Sequence, residues 1–284
     1  MAESPPSTAR LRKIGRTLRR IREDAGLTLN AAGRRMERSG SSLSLIEKGA
    51  QGLRLRDLKH ILDVYDVDPD TRHALMTLAA QQHRSGWWDD FKDTVSPAAR
   101  DYTSLENSAD SIDWAEAGFI PGILQTEDYA RAVIRAGLPE GQLSKAERLV
   151  AYRMAGQQLL SRPQAPRLRF VIDEAALRRI RGGRQVMRVQ LNEMIERSRS
   201  DNITVRVVPF DCEVDPGYIG PFQILDVGRP PLLSVVLTDH LTGRSIIEDD
   251  SDITAYRAKF AKISAAALNE NDSRTLIQQI SSDL

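Results

Sequence analysis

The sequence predicts two differently built halves: an all-α N-terminal domain of five short helices, then an α+β domain with a mostly antiparallel sheet. Three observations carry this. Apolar residues recur at three- and four-residue spacing through the first eighty or so residues, as on amphipathic helices. Runs rich in β-branched and apolar residues cluster late and lie close together, which favours antiparallel pairing for part of the sheet. Charge is divided as well: residues 1–60 carry 14 Lys/Arg against 6 Asp/Glu, whereas residues 61–284 carry 26 against 33. A basic head on an acidic remainder suggests that only the first part meets a polyanion.

The 284 residues suit two domains better than one, and the composition, 41% hydrophobic and 28% charged, is that of an ordinary globular chain. The longest apolar run, near PPLLSVVL (230–237), is too short to span a bilayer. The start, MAESPPSTARLRK, has no apolar core for a secretory signal, and a lone Cys212 fits a reducing compartment, so a cytoplasmic location is expected. The expected divisions are a flexible N-terminus at 1–9, a helical domain at 10–82, an aromatic junction at 83–100 and the α+β domain at 101–284.

In the first helix Leu11, Ile14, Leu18, Ile21 and Ala25 share a face, and Gly26 ends it. Thr28 is a good cap for a short second helix holding Ala31, Ala32 and Gly33. Ser39 caps a third helix, SGSSLSLIEKG, which stops at Gly49. Leu55, Leu58, Ile61, Leu62 and Tyr65 form a fourth stripe, and DTRHALMTLAAQQ gives a fifth helix. The second and third, joined by a tight turn, make a helix-turn-helix domain.

The stretch LRRIREDAGLTLNAAGRRMERSGSSLSLIEKG resembles the Xre/Cro-type helix-turn-helix regulators, and LSLIEKG matches that family's frequent ending. The resemblance implies that helix three enters the major groove and that the protein binds DNA as a homodimer. Thr28, Ser39 and the N-termini they cap are then placed at phosphates, with Asn30, Arg34, Arg35 and Arg38 on or just after helix two. Gly40, Ser41, Ser42, Ser44 and Leu45 face the bases or backbone, and Lys48, Arg54 and Arg56 follow as phosphate clamps. Glu47 is expected to partner an arginine of the domain rather than read a base. The sequence departs from the pattern at Gly40, commonly Gln; at Leu45, commonly Gln or Arg; at Gly33, usually Ala; and at Glu37, usually Gly. These changes weaken base reading and leave phosphate binding intact.

Beyond residue 100 the spacing predicts helices near 100–117, 126–136, 144–161, 184–199, 250–267 and 272–281. Strands are predicted in RLRFVID, NITVRVVPF, GPFQILDVG, LLSVVLTD and RSIIED, and PGYIGP and GRPP punctuate loops. The motifs GWW and IPGILQTEDYARAVI, with RMAGQQLLSRPQAPRLRFVIDEAALRR and the closing YRAKFAKISAAAL, resemble the antitoxin-like C-terminal domain of a large group of actinobacterial Xre-type regulators. That resemblance implies a regulatory half that dimerises, senses a ligand or binds a small acidic companion protein encoded nearby, in a toxin–antitoxin-like arrangement.

Equipment for catalysis is scarce. His60, His73, His83 and His240 are scattered with no partner at metal-ligand spacing, Cys212 has no neighbouring histidine, and IRGGRQ lacks a phosphate-loop lysine. The pairs Asp173/Glu174 and Asp249/Asp250 follow strands and precede helices, where capping accounts for them. No metal, no cofactor and no enzyme activity are expected. The aromatic residues Trp87, Trp88, Phe91, Trp114, Phe119 and Tyr129 are candidates either for packing or for a partner or effector surface. Together these point to a DNA-binding regulator on a pseudo-palindromic operator; the alternative is an antitoxin-like interaction module with weak or nonspecific DNA binding.

Overall fold

The computed structural model of the chain describes residues 8–82, 85–213, 220–240 and 243–284. Two units emerge, one running to Gly86 and taking in Gly228–Leu233, the other comprising Trp87–Val227 and Ser234–Leu284. His83 and most of PGYIGP lie outside the described residues, as do residues 1–7 of the expected flexible terminus. Thr8 and Ala9 move that boundary: Thr8 Oγ1 accepts the Leu11 N–H at 3.3 Å and caps the first helix, whose first residue, Ala9, is buried.

The first unit holds the five expected helices: α1 (Ala9–Asp24), α2 (Leu29–Arg35), α3 (Gly40–Glu47), α4 (Leu55–Val64) and α5 (Pro69–Gln82). Their apolar stripes meet in one core, with Leu18, Leu43, Leu58, Ile61 and Leu62 fully buried. The first four helices end alike, on a left-handed residue: Gly26 (φ 66°), Glu37 (φ 54°), Gly49 (φ 64°) and Asp66 (φ 50°). After each, the next N–H reaches back to close the helix: Leu27 to Arg22 O at 3.1 Å, Arg38 to Gly33 O at 2.8 Å, Ala50 to Leu45 O at 2.9 Å and Val67 to Leu62 O at 3.1 Å. Glu37 and Asp66 do this without being glycine, at about 1 kcal/mol each.

The second unit is α+β. It contains α6 (Pro97–Glu106), β1 (Ser111–Glu116), α7 (Glu127–Gly137), α8 (Ala146–Gly156), β2 (Arg167–Asp173), α9 (Glu174–Arg178) and α10 (Arg184–Arg197). There follow β3 (Ile203–Val208), β4 (Phe222–Val227), β5 (Leu233–His240), β6 (Gly243–Ile247), α11 (Asp250–Ala266) and α12 (Glu270–Ser282). Short 3₁₀ turns at Trp87–Phe91, Gly122–Leu124, Glu140–Lys145 and Gln157–Ser161 flank the helices. The six strands form one sheet in the order β3-β2-β1-β4-β5-β6. Strand β1 runs parallel to β2, and β2 to β3, while β1–β4 and β5–β6 are antiparallel. The neighbours β4 and β5 are joined by residues 228–232 alone, too short a link for a parallel crossover. The sheet is thus mostly antiparallel, with a parallel block at one side.

One expected element is corrected. The helix predicted over 100–117 stops at Glu106, and Ser111–Glu116 is β1, a central strand paired on both sides. Its sequence, SIDWAE, conceals two buried carboxylates; Asp113 is matched by Arg169 of β2, whose Nε lies 2.6 Å from Asp113 Oδ1. The helix predicted over 144–161 is shorter as well, with α8 proper ending at Gly156 before a 3₁₀ turn, and the helix expected after Asp173/Glu174 is the short α9.

Side chains alternate across the sheet. Ala115, Val171, Phe222, Ile224 and Val236 pack with Ile253, Phe260 and Ile263 of α11 on one face. Trp114 and Gln223 therefore point to the opposite face, where Tyr102 of α6 reaches Gln223 Oε1 at 3.0 Å. Capping accounts for both acidic pairs' leading residues: Asp173 accepts the Ala175 N–H at 2.7 Å and Asp249 the Ser251 N–H at 2.9 Å.

Candidate functional site

Two places carry chemistry, one in each unit. In the first unit the turn between α2 and α3 is held from both sides. Thr28 Oγ1 accepts the Ala31 N–H at 3.2 Å, and Ser39 Oγ accepts the Ser42 N–H at 3.1 Å, so both expected caps are spent on their own helices. Gly33 faces the turn so closely that a Cβ there would lie 2.6 Å from the Arg38 carbonyl oxygen. The alanine common at this place in the resembled family would not fit; glycine is dictated by the approach of the backbone.

Gly40 is less confined: a Cβ there would lie 2.2 Å from Asn30 Oδ1, the end of an exposed side chain that can turn away. Asn30 therefore packs against the start of α3. Along α3, Leu43, Ile46 and Glu47 are buried, while Ser41, Leu45 and Lys48 form an exposed strip one helical face wide. Leu45 is 47% exposed. Ser44 is half-buried, and Ser42 Oγ comes only within 3.5 Å of Gln51 Oε1.

The surrounding cations differ in how free they are. Arg34 and Arg54 are exposed, the latter at the N-terminus of α4 without a side-chain capping bond. Arg38 and Arg56 share one carboxylate, at 3.5 Å and 3.6 Å from Asp57. The arrangement is an uncapped basic rim beside a short, small-residue helix face, suited to phosphate contacts.

Beneath that face lies a closed ion pair. Arg22 of α1 donates from Nε to Glu47 Oε1 at 2.7 Å and from Nη2 to Glu47 Oε2 at 2.9 Å, and its Nη1 reaches the Leu27 carbonyl at 2.8 Å. The bond to Glu47 raises the Arg22 pKa above its ordinary value. The expected structural role of Glu47 is thus filled by a residue 25 positions earlier. Tyr65 nearby is pushed up to about 12, chiefly by burial.

The second unit encloses a cavity of about 700 Å³ between α6, β1, α8 and the β5–β6 hairpin. Of the six aromatic candidates, Trp87, Trp114 and Phe119 line it, whereas Trp88, Phe91 and Tyr129 do not. Tyr129 is fully buried and its hydroxyl accepts the Ile120 N–H at 3.3 Å. Trp87 packs on Phe91 and on Tyr152 with ring centroids 6.0 Å and 5.3 Å away. Phe91 stood among the scarce aromatics and Gln125 and Arg153 lay within the quoted motifs, but only the topology assembles them with Tyr152, Tyr102, Glu106 and Arg244.

The polar groups of the cavity are unevenly satisfied. The Tyr102 hydroxyl lies 2.8 Å from Glu106 Oε1, and burial raises the pKa of both. Glu116 is likewise raised by burial, although its Oε1 accepts the N–H of Ala117 at 3.1 Å and of Gly118 at 3.2 Å. Arg244 stacks on Tyr102 with its guanidinium 3.9 Å from the ring centre and is bridged to Asp239, Nη2 to Oδ2 at 2.9 Å. Arg153 is half-buried and donates to the neutral Gln125 Oε1 at 2.7 Å; burial lowers its pKa.

Among the described residues no group of three or more His, Cys, Asp or Glu is placed to hold a metal ion. None of their helices is long and apolar enough to cross a membrane. No curated protein and no solved structure matches the chain. Residues 13–75 match a helix-turn-helix domain, which supports a DNA-binding regulator. Residues 99–279, well over half of the chain, match the family described as domain of unknown function (DUF5753), and the chain belongs to that family.

Proposed function

We propose that the chain is a sequence-specific transcriptional regulator of the Xre type that acts in the cytoplasm as a homodimer on a pseudo-palindromic operator. In this arrangement α3 lies in the major groove, and two copies sit about one DNA turn apart, roughly 34–36 Å. The observation that carries it is the α3 strip Ser41–Leu45–Lys48, solvent-facing on a helix whose other face is locked by Leu43, Ile46 and the Arg22–Glu47 pair. Lys48, Arg54 and Arg56 clamp phosphates; Leu45 meets a thymine methyl; DNA shape supplies much of the remaining specificity. The second unit receives the signal, from a small companion protein or a ligand, and performs no catalysis.

The short hydroxyls and exposed Leu45 on α3 favour one rival, an antitoxin-like interaction module with weak or nonspecific DNA binding. A gel shift of the full chain on the DNA upstream of its own operon separates the two. The regulator shifts that DNA in preference to random sequence; equal shifts on both support the interaction module, and no shift even at low salt rejects DNA binding altogether.

A further inference from the structure

We propose that the cavity of the second unit binds a small organic acid with an aromatic ring, its carboxylate held by Arg153 and its ring stacked among Trp87, Trp114 and Tyr152. This names the ligand class for the regulatory role given above and rests on that role for its biological meaning, though not for the binding itself.

The volume, about 700 Å³, suits a ring-bearing metabolite rather than an ion or a macromolecule. The walls are aromatic on two sides, with Trp114 on the sheet and the Trp87–Tyr152 pair on the helical layer, their centroids 5.3 Å apart. Such faces accept a planar guest by offset or edge stacking.

The charge pattern selects the sign of the guest. Each other charged wall residue with described partners is already answered: Asp239 by Arg244, Glu106 by the Tyr102 hydroxyl, Glu116 by two backbone N–H groups. Arg153 alone among these makes its only side-chain bond to a neutral amide, Gln125 Oε1, and no carboxylate of the described residues lies within ion-pair distance. A half-buried guanidinium with no ion-pair partner is only partly answered by the more distant Glu106 and Asp239, and its planar fork matches a carboxylate at two points. Burial already lowers the Arg153 pKa, so an arriving carboxylate recovers what burial costs. The Trp87 indole N–H is a second buried donor in this wall with no acceptor among the described residues. Gly122 completes the seat: a Cβ there would lie 3.0 Å from Arg153 Nη1 and push the guanidinium away.

The test is titration calorimetry of the full chain with benzoate, 1-naphthoate and indole-3-acetate, each beside its own neutral amide. At least one acid is expected to bind wild type roughly ten-fold or more tightly than its amide, and that ratio is expected to fall to near one in Arg153→Met, with amide binding retained. Equal binding of acid and amide, survival of the ratio in Arg153→Met, or no binding of any probe at about 1 mM overturns the proposal. Should Arg153→Met fail to fold, the wild-type ratio decides alone. Because binding is read directly, its loss with operator binding intact rejects only the ligand site, and the reverse result rejects only the DNA-binding role.

Discussion

Arg22 is buried in the first unit and Arg153 half-buried in the second, and they are treated in opposite ways. Arg22 meets a carboxylate at two points and a carbonyl at a third. Arg153 meets only a neutral amide. The first is a finished piece of scaffold that fixes α1 against the end of α3. The second faces a cavity with no carboxylate paired to it, the condition of a group kept for a guest. Burial of a charge is therefore no guide to its role; the partner is.

The largest expected effect breaks the closed pair. Glu47→Gln removes the two-point carboxylate partner of Arg22 and leaves only the exposed Glu23, 3.4 Å from its Nη2, so it should cost about 3 kcal/mol in urea unfolding of the first unit. Arg153→Met, the matching change in the second unit, should cost less than about 1 kcal/mol or stabilise, since no pair is broken. Comparable losses for the two would erase the distinction.

Next in size is Gly33→Ala. A Cβ placed 2.6 Å from a backbone oxygen forces the α2–α3 turn apart, and the expected loss is about 1–3 kcal/mol of thermal stability with weakened DNA binding. An alanine variant as stable as wild type would contradict the close approach.

Glu106→Gln sharpens the cavity side. Because burial raises the folded Glu106 pKa above its unfolded value, its stabilising contribution is present below the ordinary carboxylate pKa and is lost as pH rises through the raised value. The permanently neutral variant should match wild type in acid and exceed it at higher pH, flattening the stability–pH curve. Tyr102 acts on it from α6 itself, and Arg153, Arg244 and Tyr152 from neighbouring elements. A curve unchanged by the substitution would show that folding does not raise the Glu106 pKa.

The smallest effect concerns Asp57→Asn. It frees Arg38 and Arg56 from a shared carboxylate held at 3.5 Å and 3.6 Å, and affinity for random DNA should rise a few-fold at low salt, since exposed pairs of this kind are worth about 0.2–1 kcal/mol. Unchanged affinity would place these arginines away from the phosphates.

How much of this was legible in the sequence follows from the range of the interactions. Helices α1 to α5 were readable because each writes its core as a local stripe, such as Leu58, Ile61 and Leu62, although Leu55 of the expected stripe is exposed, and announces its end with a residue such as Gly26 or Gly49. Glu47 was recognisable as structural, but Arg22 was not nameable, because the choice depends on how α1 crosses α3. Strand β1 was misjudged as helix because Asp113 and Glu116 are acceptable in a central strand only once Arg169 and the backbone of Ala117 and Gly118 answer them. The cavity was least legible. Trp87, Trp114 and Phe119 stood out as scarce aromatics, whereas Arg153, Gln125 and Tyr152 look like ordinary helix and loop residues until the sheet brings Trp114 beneath them.

The most direct test of the DNA-binding role is the salt dependence of affinity for the upstream DNA, measured by fluorescence anisotropy for wild type and for the triple variant Lys48→Ala, Arg54→Ala, Arg56→Ala. If these three side chains clamp phosphates beside α3, the slope of log affinity against log salt becomes shallower by about 3 in the variant while the helical unit stays folded. A slope unchanged by the loss of all three would place the DNA elsewhere on the protein and contradict the role assigned to α3.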